Sequence, residues 1–340
     1  MIVSPLNAQR WSILFTVISI IFIGIVFGIN YTIDPYGTRE WIVEKHFKPI
    51  VHERSEKYNY LFYQNNIEKY DCLILGSSRV MSLIPKHSDE TQKCYNFGVH
   101  VANNPEKLFI LQEWLKHAPL KTLYLGNELY TMHAESEPMH LNKNKFLDGS
   151  EGSYLSVQTF KISIRSLLYK IFNAPQTHFK ADGSIRYPQE EQFIRSNQFN
   201  HSLRYFQELS HMTLNEDYVK RPFIYETHAL APLKQIKVLS DHHHIELKVF
   251  ITPTYSELHT LIASSPPLAK ASQQFRSDLL RIFGEVYDFD DNHSLNRNPR
   301  NFYDPLHYRP ILAQQMIQSM HSDNQLQPYG TLLRISEQRD

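Results

Sequence analysis

The first pattern along the chain is a run with no charge in it. Ser12–Ile29 reads SILFTVISIIFIGIVFGI, and Ser12, Thr16 and Ser19 are its only polar members. At ~1.5 Å per residue such a helix is ~27 Å long, close to the ~30 Å of a bilayer's hydrocarbon layer. Trp11 and Tyr31 flank the run, as interfacial aromatics do. A cleaved signal peptide would have an apolar core of ~7–15 residues followed by small residues. Here the run is longer, and Asn30-Tyr31-Thr32-Ile33-Asp34-Pro35 follows. The expectation is a retained anchor over residues 1–31. Basic residues give little asymmetry, with Arg10 before the run and Arg39 and Lys45 after it. The short head and the large following domain suit a single-pass inner-membrane protein. Its N-terminus would lie in the cytoplasm and its globular domain in the periplasm or elsewhere outside.

Beyond the anchor, residues 32–68 form a polar, partly helical connector. Three strand-like runs follow, each ending in glycine: Asp71–Gly76, Cys94–Gly98 and Thr122–Gly126. Glu106–His117, with apolar residues at helical spacing, lies between the second and the third. Strands joined through helices by short links predict parallel pairing with right-handed crossovers. Residues 131–225 are polar and helix-prone, have no clear strand and read as an insertion or cap. The alternation then resumes. Pro232–His243 reads as helix, Glu246–Ile251 as strand, Leu268–Phe283 as helix, Val286–Phe289 as strand and His307–Met320 as a closing helix. The expected fold class is α/β. The domain covers 69–330, and a loosely ordered tail begins at Ser322, with 331–340 outside the domain.

Composition narrows the function. The 340 residues carry 35 basic and 35 acidic side chains, so no electrostatic case for nucleic acid exists. Hydrophobic residues make up 42% of the chain, enough for a core in a domain of this size. The two cysteines, Cys72 and Cys94, exclude an all-cysteine zinc site. Each stands four residues before its strand's glycine. On neighbouring strands their sulfurs would approach one another. A disulfide is then open outside the cytoplasm, although adjacent-strand geometry is often strained, so bonded and free forms both stay open. Order across the sheet should be second, first, third. Asp241-His242-His243-His244 could suggest a metal, but histidines at a helix end favour the dipole and stay solvated. His100 and His133 could line the cleft, but the sequence does not indicate what they would bond to.

Parallel sheets bind ligands at the carboxyl ends of their strands, so the loops after the three glycines are the places to look. Gly76-Ser77-Ser78-Arg79 would display a serine on a strand-to-helix turn, with helix amides beside a developing oxyanion. The plainer reading is a helix cap. Gly98 could offer its amide to the same oxyanion, and Asn127 its side-chain amide. Either could equally be an ordinary turn. Far downstream, Asp304 and His307 are spaced so that the histidine can take the serine proton while the carboxylate fixes its tautomer. Alternatively, Asp304-Pro305 is a good N-cap and N1 pair for the last helix.

Taken in order, LILGSSR at 73–79, YNFGVHVAN at 95–103, LYLGNELY at 123–130 and FYDPLHYRP at 302–310 resemble the blocks of the SGNH, or GDSL-like, hydrolase superfamily. NYTIDPYG at 30–37 and VFITPTY at 249–255 look like its membrane-anchored bacterial acyltransferase-like branch, which includes relatives of DltD and of alginate O-acetylation proteins. The resemblance covers most of the chain outside 131–225. It implies a flavodoxin-like three-layer α/β/α fold with Ser78 as nucleophile and Asp304 and His307 completing a triad. The implied oxyanion donors are Gly98, Asn127 and the amide of Ser78. Two departures stand out: Ser77 replaces the usual Asp of GDS, and Asn127 directly follows Gly126, with Glu128 in place of an Asp.

The expected activity is serine-dependent acyl transfer or ester hydrolysis on a cell-envelope glycan or other exported polymer, through an acyl-enzyme. It needs no metal or diffusible cofactor. Transfer implies a membrane partner that delivers the acyl group. The alternative is a non-catalytic, membrane-anchored assembly or binding protein that keeps the fold.

Overall fold

The computed structural model describes residues 5–36, 53–84, 93–133, 154–172, 178–186, 194–196, 206–207, 223–291, 293–321 and 330–335. In chain order the regular elements are α1 (Pro5–Ile33), α2 (Glu53–Tyr58), β1 (Cys72–Leu75), β2 (Cys94–Asn96), α3 (Asn104–His117), β3 (Thr122–Asn127), α4 (Val157–Ile171), β4 (His178–Phe179), β5 (Ile185–Arg186), α5 (Ala231–His242), β6 (Glu246–Ile251), α6 (Ser256–Ser264), α7 (Pro266–Phe283), β7 (Glu285–Asp288), α8 (Pro310–His321) and β8 (Thr331–Arg334). They fall into two compact units, one of residues 1–65 with 142–178, the other of 66–141 with 179–340. The first therefore takes in most of the expected connector and part of the expected insertion.

In the first unit α1 is one continuous helix. Its stretch Ala8–Ile33 is long and apolar enough to cross a membrane, with mean hydropathy 2.7. Near its end Asn30 Nδ2 donates to the carbonyls of Tyr154 and Ser156, at 2.8 and 3.2 Å, and Phe27 and Tyr31 pack edge-on against the Tyr154 ring. Asn30 is fully buried, and a buried amide needs such partners.

The second unit is built on a six-stranded sheet in the order β2-β1-β3-β6-β7-β8. The first five strands are parallel and β8 is antiparallel to β7. The three glycine-ended runs thus lie in the expected order. The core follows from their composition: Leu73, Ile74, Leu75, Leu123, Tyr124 and Leu125 are essentially inaccessible. Such unbroken burial is usual for parallel strands covered on both faces. Each buried Leu or Ile contributes ~1.5–3 kcal/mol. Helix α3 is set by a capping box, in which Asn103 accepts from the Glu106 amide and Glu106 reaches back to the Asn103 amide. It buries Phe109, Ile110, Leu111 and Trp114.

Cys72 and Cys94 are register partners on β1 and β2 and are joined by a disulfide. The edge strand β2 is covered by part of the expected insertion. The turn between β4 and β5 brings the Asp182 carbonyl to the Asn96 amide at 2.7 Å, and Tyr70 donates to the Ala181 carbonyl at 2.7 Å. The expectation of no strand in 131–225 is corrected here, since two-residue strands carried no detectable period. The tail is corrected as well. Thr331–Arg334 forms β8, whose short alternation was too brief to read without its partner β7. The closing helix starts at Pro310, not His307, because residues 302–308 fold back through a bridge between Phe302 and Tyr308.

Candidate active site

Parallel strands point their carboxyl ends to one edge, and the loops after β1, β2, β3 and β6 meet there. The turn after β1 is shaped by a side chain that sequence pattern did not single out. Val80, fully buried, sits against all three strand-end glycines. A Cβ added at Gly76, Gly98 or Gly126 would lie 2.6, 2.7 or 2.4 Å from its methyl groups. The glycines recur because one branched side chain fills the space beside them. Val80 in turn places the short 3-10 turn Ser78–Ser82 on the strand ends.

Asn96, the residue before the second loop, ties this turn down. Its Nδ2 donates to the Val80 and Leu83 carbonyls, at 2.6 and 2.8 Å, and its Oδ1 accepts from the Gly98 amide at 2.8 Å. Ser77 caps the turn by accepting from the Arg79 amide at 3.1 Å. Its hydroxyl donates to Glu128 Oε1. Glu128 Oε2 also lies 3.8 Å from Arg79 Nε. The two departures from the usual blocks, Ser77 and Glu128, are therefore bonded to each other. Together they hold both neighbours of Ser78.

Ser78 itself remains partly accessible, and its Oγ is 2.8 Å from His307 Nε2. His307 Nδ1 is 2.6 Å from Asp304 Oδ2. An ionised carboxylate only accepts, so Nδ1 carries the proton and Nε2 is left as the acceptor for the Ser78 hydroxyl. Asp304 Oδ1 accepts the amides of Leu306 and His307, at 2.8 and 2.9 Å. Burial pushes the Asp304 pKa up, but the hydrogen bond and charge of His307 and the two amides outweigh it and hold it below the ordinary value. Asp304 thus heads the 304–307 turn and orients the ring at once. It does not cap the last helix. Phe302 and Tyr308, almost fully buried, fix the base of this loop.

The expected oxyanion donors are placed less simply. The Ser78 amide donates to no acceptor among the described residues. The Gly98 amide is already given to Asn96. Asn127 is fully buried; its Nδ2 donates to the Leu125 carbonyl at 3.0 Å and its Oδ1 lies 3.4 Å from Lys107 Nζ. The structure thus brings Ser78, Asp304 and His307 together, while Gly98 and Asn127 spend these groups on holding the loops. These hydrogen bonds engage groups that the expectation aimed at an oxyanion. The cause is local: each has a closer polar neighbour in its own strand end.

Lys107, Glu128 and Arg79 complete the surroundings. Lys107 Nζ donates to the Gly126 carbonyl at 2.9 Å and to Asn104 Oδ1 at 3.2 Å. Burial pushes its pKa down to about 8, against the pull of Glu128 and Glu106. Beside the triad lies a pocket of about 30 Å³, mostly apolar, walled by Arg79, Leu129, Ile251, Leu258 and Leu306 among others. Arg79 and Leu306 each adjoin a triad residue in sequence. A lysine on a helix face and a lone Arg after the serine carried no signal of these positions. His133, for which the sequence indicated no partner, accepts from the Ile224 amide at 3.2 Å and stacks on Phe223. Comparison of the chain with protein-family models, with curated proteins and with solved structures finds no match.

Proposed function

We propose that this protein is a membrane-anchored, serine-dependent acyltransferase or esterase of the SGNH-like kind, acting on a cell-envelope glycan or other exported polymer. The observation that carries the reading is the hydrogen-bonded series Ser78–His307–Asp304, assembled from residues 229 positions apart. Local propensity does not require that convergence. Strand order and the parallel sheet support a flavodoxin-like, three-layer arrangement.

In this mechanism His307 Nε2 takes the Ser78 proton as Oγ attacks the ester carbonyl. The oxyanion meets the Ser78 amide. His307 then protonates the leaving alcohol, and an acyl-enzyme remains. A sugar hydroxyl or water, deprotonated by His307, attacks that ester and releases Ser78. The chemistry calls on no metal or diffusible cofactor. The apolar helix α1 supports an anchor, and the disulfide supports an extracytoplasmic, periplasm-like compartment, where such bonds persist. A tethered enzyme favours polymers near the membrane and a membrane partner as acyl donor.

A second reading, a non-catalytic binding or assembly protein, is favoured by one observation: the Gly98 amide and the Asn127 amide nitrogen are engaged within the protein. Fluorophosphonate labelling of the full chain, read beside hydrolysis of an activated acetyl ester, separates the two. The enzyme reading expects labelling and turnover that Ser78→Ala abolishes with the fold intact. Absence of both from the unaltered protein would end the enzyme reading and leave the second.

A further inference from the structure

Helix α4 (Val157–Ile171) is amphipathic, but within its unit it is turned the wrong way for water. Its buried positions are Thr159, Ser163 and Ser166, all small and hydroxylated, at 0, 0 and 4% exposure. Its exposed positions include Val157, Leu168 and Ile171, continued by Leu155 before it and Phe172 after it, at 46–76% exposure. At 100° per residue Val157, Phe160, Ile164, Leu167, Leu168 and Ile171 form one apolar arc. A water-exposed helix would bury that arc and show its serines.

What the small face packs on is α1. The two helices are in contact, and the Asn30 and Tyr154 contacts tie them at one end. On α1 the less exposed positions Ser19, Val26, Ile29, Asn30 and Ile33 form one stripe. Elsewhere α1 shows Phe15, Phe22 and Ile25 at half exposure or more. Small residues at the contact with apolar residues outside is how helices associate in lipid, where close backbone approach replaces the hydrophobic drive. Lys161 and Arg165 are exposed beside the apolar arc, and Lys161 can lay its stem along it with its charge at a lipid phosphate.

We propose that α4 is a second membrane-contacting element, whose apolar arc, from Leu155 to Phe172, lies in lipid beside the anchor. The occupant is the bilayer itself, because the arc continues the apolar surface of α1 and carries in Lys161 a flanking cation suited to anionic headgroups. The proposal rests on reading α1 as a membrane helix, so its test must separate the two.

The native cysteines are bonded, so a single introduced cysteine on the full-length protein takes a fluorescent label alone. The protein is reconstituted into phosphatidylcholine–phosphatidylglycerol vesicles with or without brominated acyl chains. Labels at Phe22→Cys, Leu168→Cys and Ile171→Cys should lose fluorescence in the brominated vesicles, while one at Lys234→Cys, on exposed surface of the other unit, should not. Quenching at Phe22 with water-like emission at Leu168 and Ile171 overturns the proposal. So does blue-shifted but unquenched emission there, since protein would then cover the arc. An unquenched label at Phe22 removes the anchor reading itself.

Discussion

Lys107 carries a charge into the interior beneath the site, where it holds the Gly126 carbonyl. Its pKa, lowered to about 8 by burial, makes it a pH-dependent cost. Below about pH 8 both folded and unfolded chains hold the proton, and the full penalty applies. Between about 8 and ~10.4 the folded chain has released the proton while the unfolded chain keeps it, so stability rises with pH. Above that window the buried Tyr124 and Tyr308 and the half-buried Tyr225, all raised, act too and oppose the rise. Lys107→Met lacks the proton altogether. The native protein should therefore gain up to ~1.4 kcal/mol per pH unit relative to this variant between pH 8 and 9.5. Urea unfolding in detergent at the two pH values measures it. Parallel curves for the two proteins would show that Lys107 titrates normally.

At the scale of elements, the three strand-end glycines and Val80 form one packing unit. Gly126→Ala sets a Cβ 2.4 Å from a Val80 methyl, too close to persist. Overpacking of this kind costs ~1–3 kcal/mol. Val80→Ala removes the clash, so the double variant should be more stable than the sum of the two single effects predicts. Strict additivity in thermal unfolding would mean that Val80 is not what the glycines accommodate. Strands β1, β2 and β3 were legible because their apolar runs and glycine ends were coherent over several residues. Strand β8 was not, since four residues, Thr331–Arg334, gain their pattern only from pairing with β7. Helix α4 was foreseen as helix-prone chain, but the direction of its apolar arc depends on α1, which local periodicity does not encode. Likewise, Asp304 and His307 could be named from residue type and spacing, whereas Ser78 rather than Ser77 came from the resemblance of the sequence blocks. Glu128 could be named only as a departure, and its bond to Ser77 needed the tertiary fold.

For the whole molecule, the sheet brings Ser78, near the start of its domain, to His307, near the end, 229 positions away. That separation is also an interval of time. At ~5–20 residues per second, synthesis delivers Ser78 roughly 10–50 s before His307. Until the loop that carries Asp304 and His307 docks, Ser78 is an ordinary alcohol, with no base to draw its proton. On the proposed acyl-enzyme mechanism, a growing chain is thus chemically silent toward the esters around it. On that mechanism, reactivity begins only when the last part of the fold closes. A chain arrested before position 300 should take no fluorophosphonate label, although it already holds Ser78, both cysteines and all five parallel strands. Labelling of such a fragment at the rate of the full chain would mean that the serine is activated from somewhere other than His307.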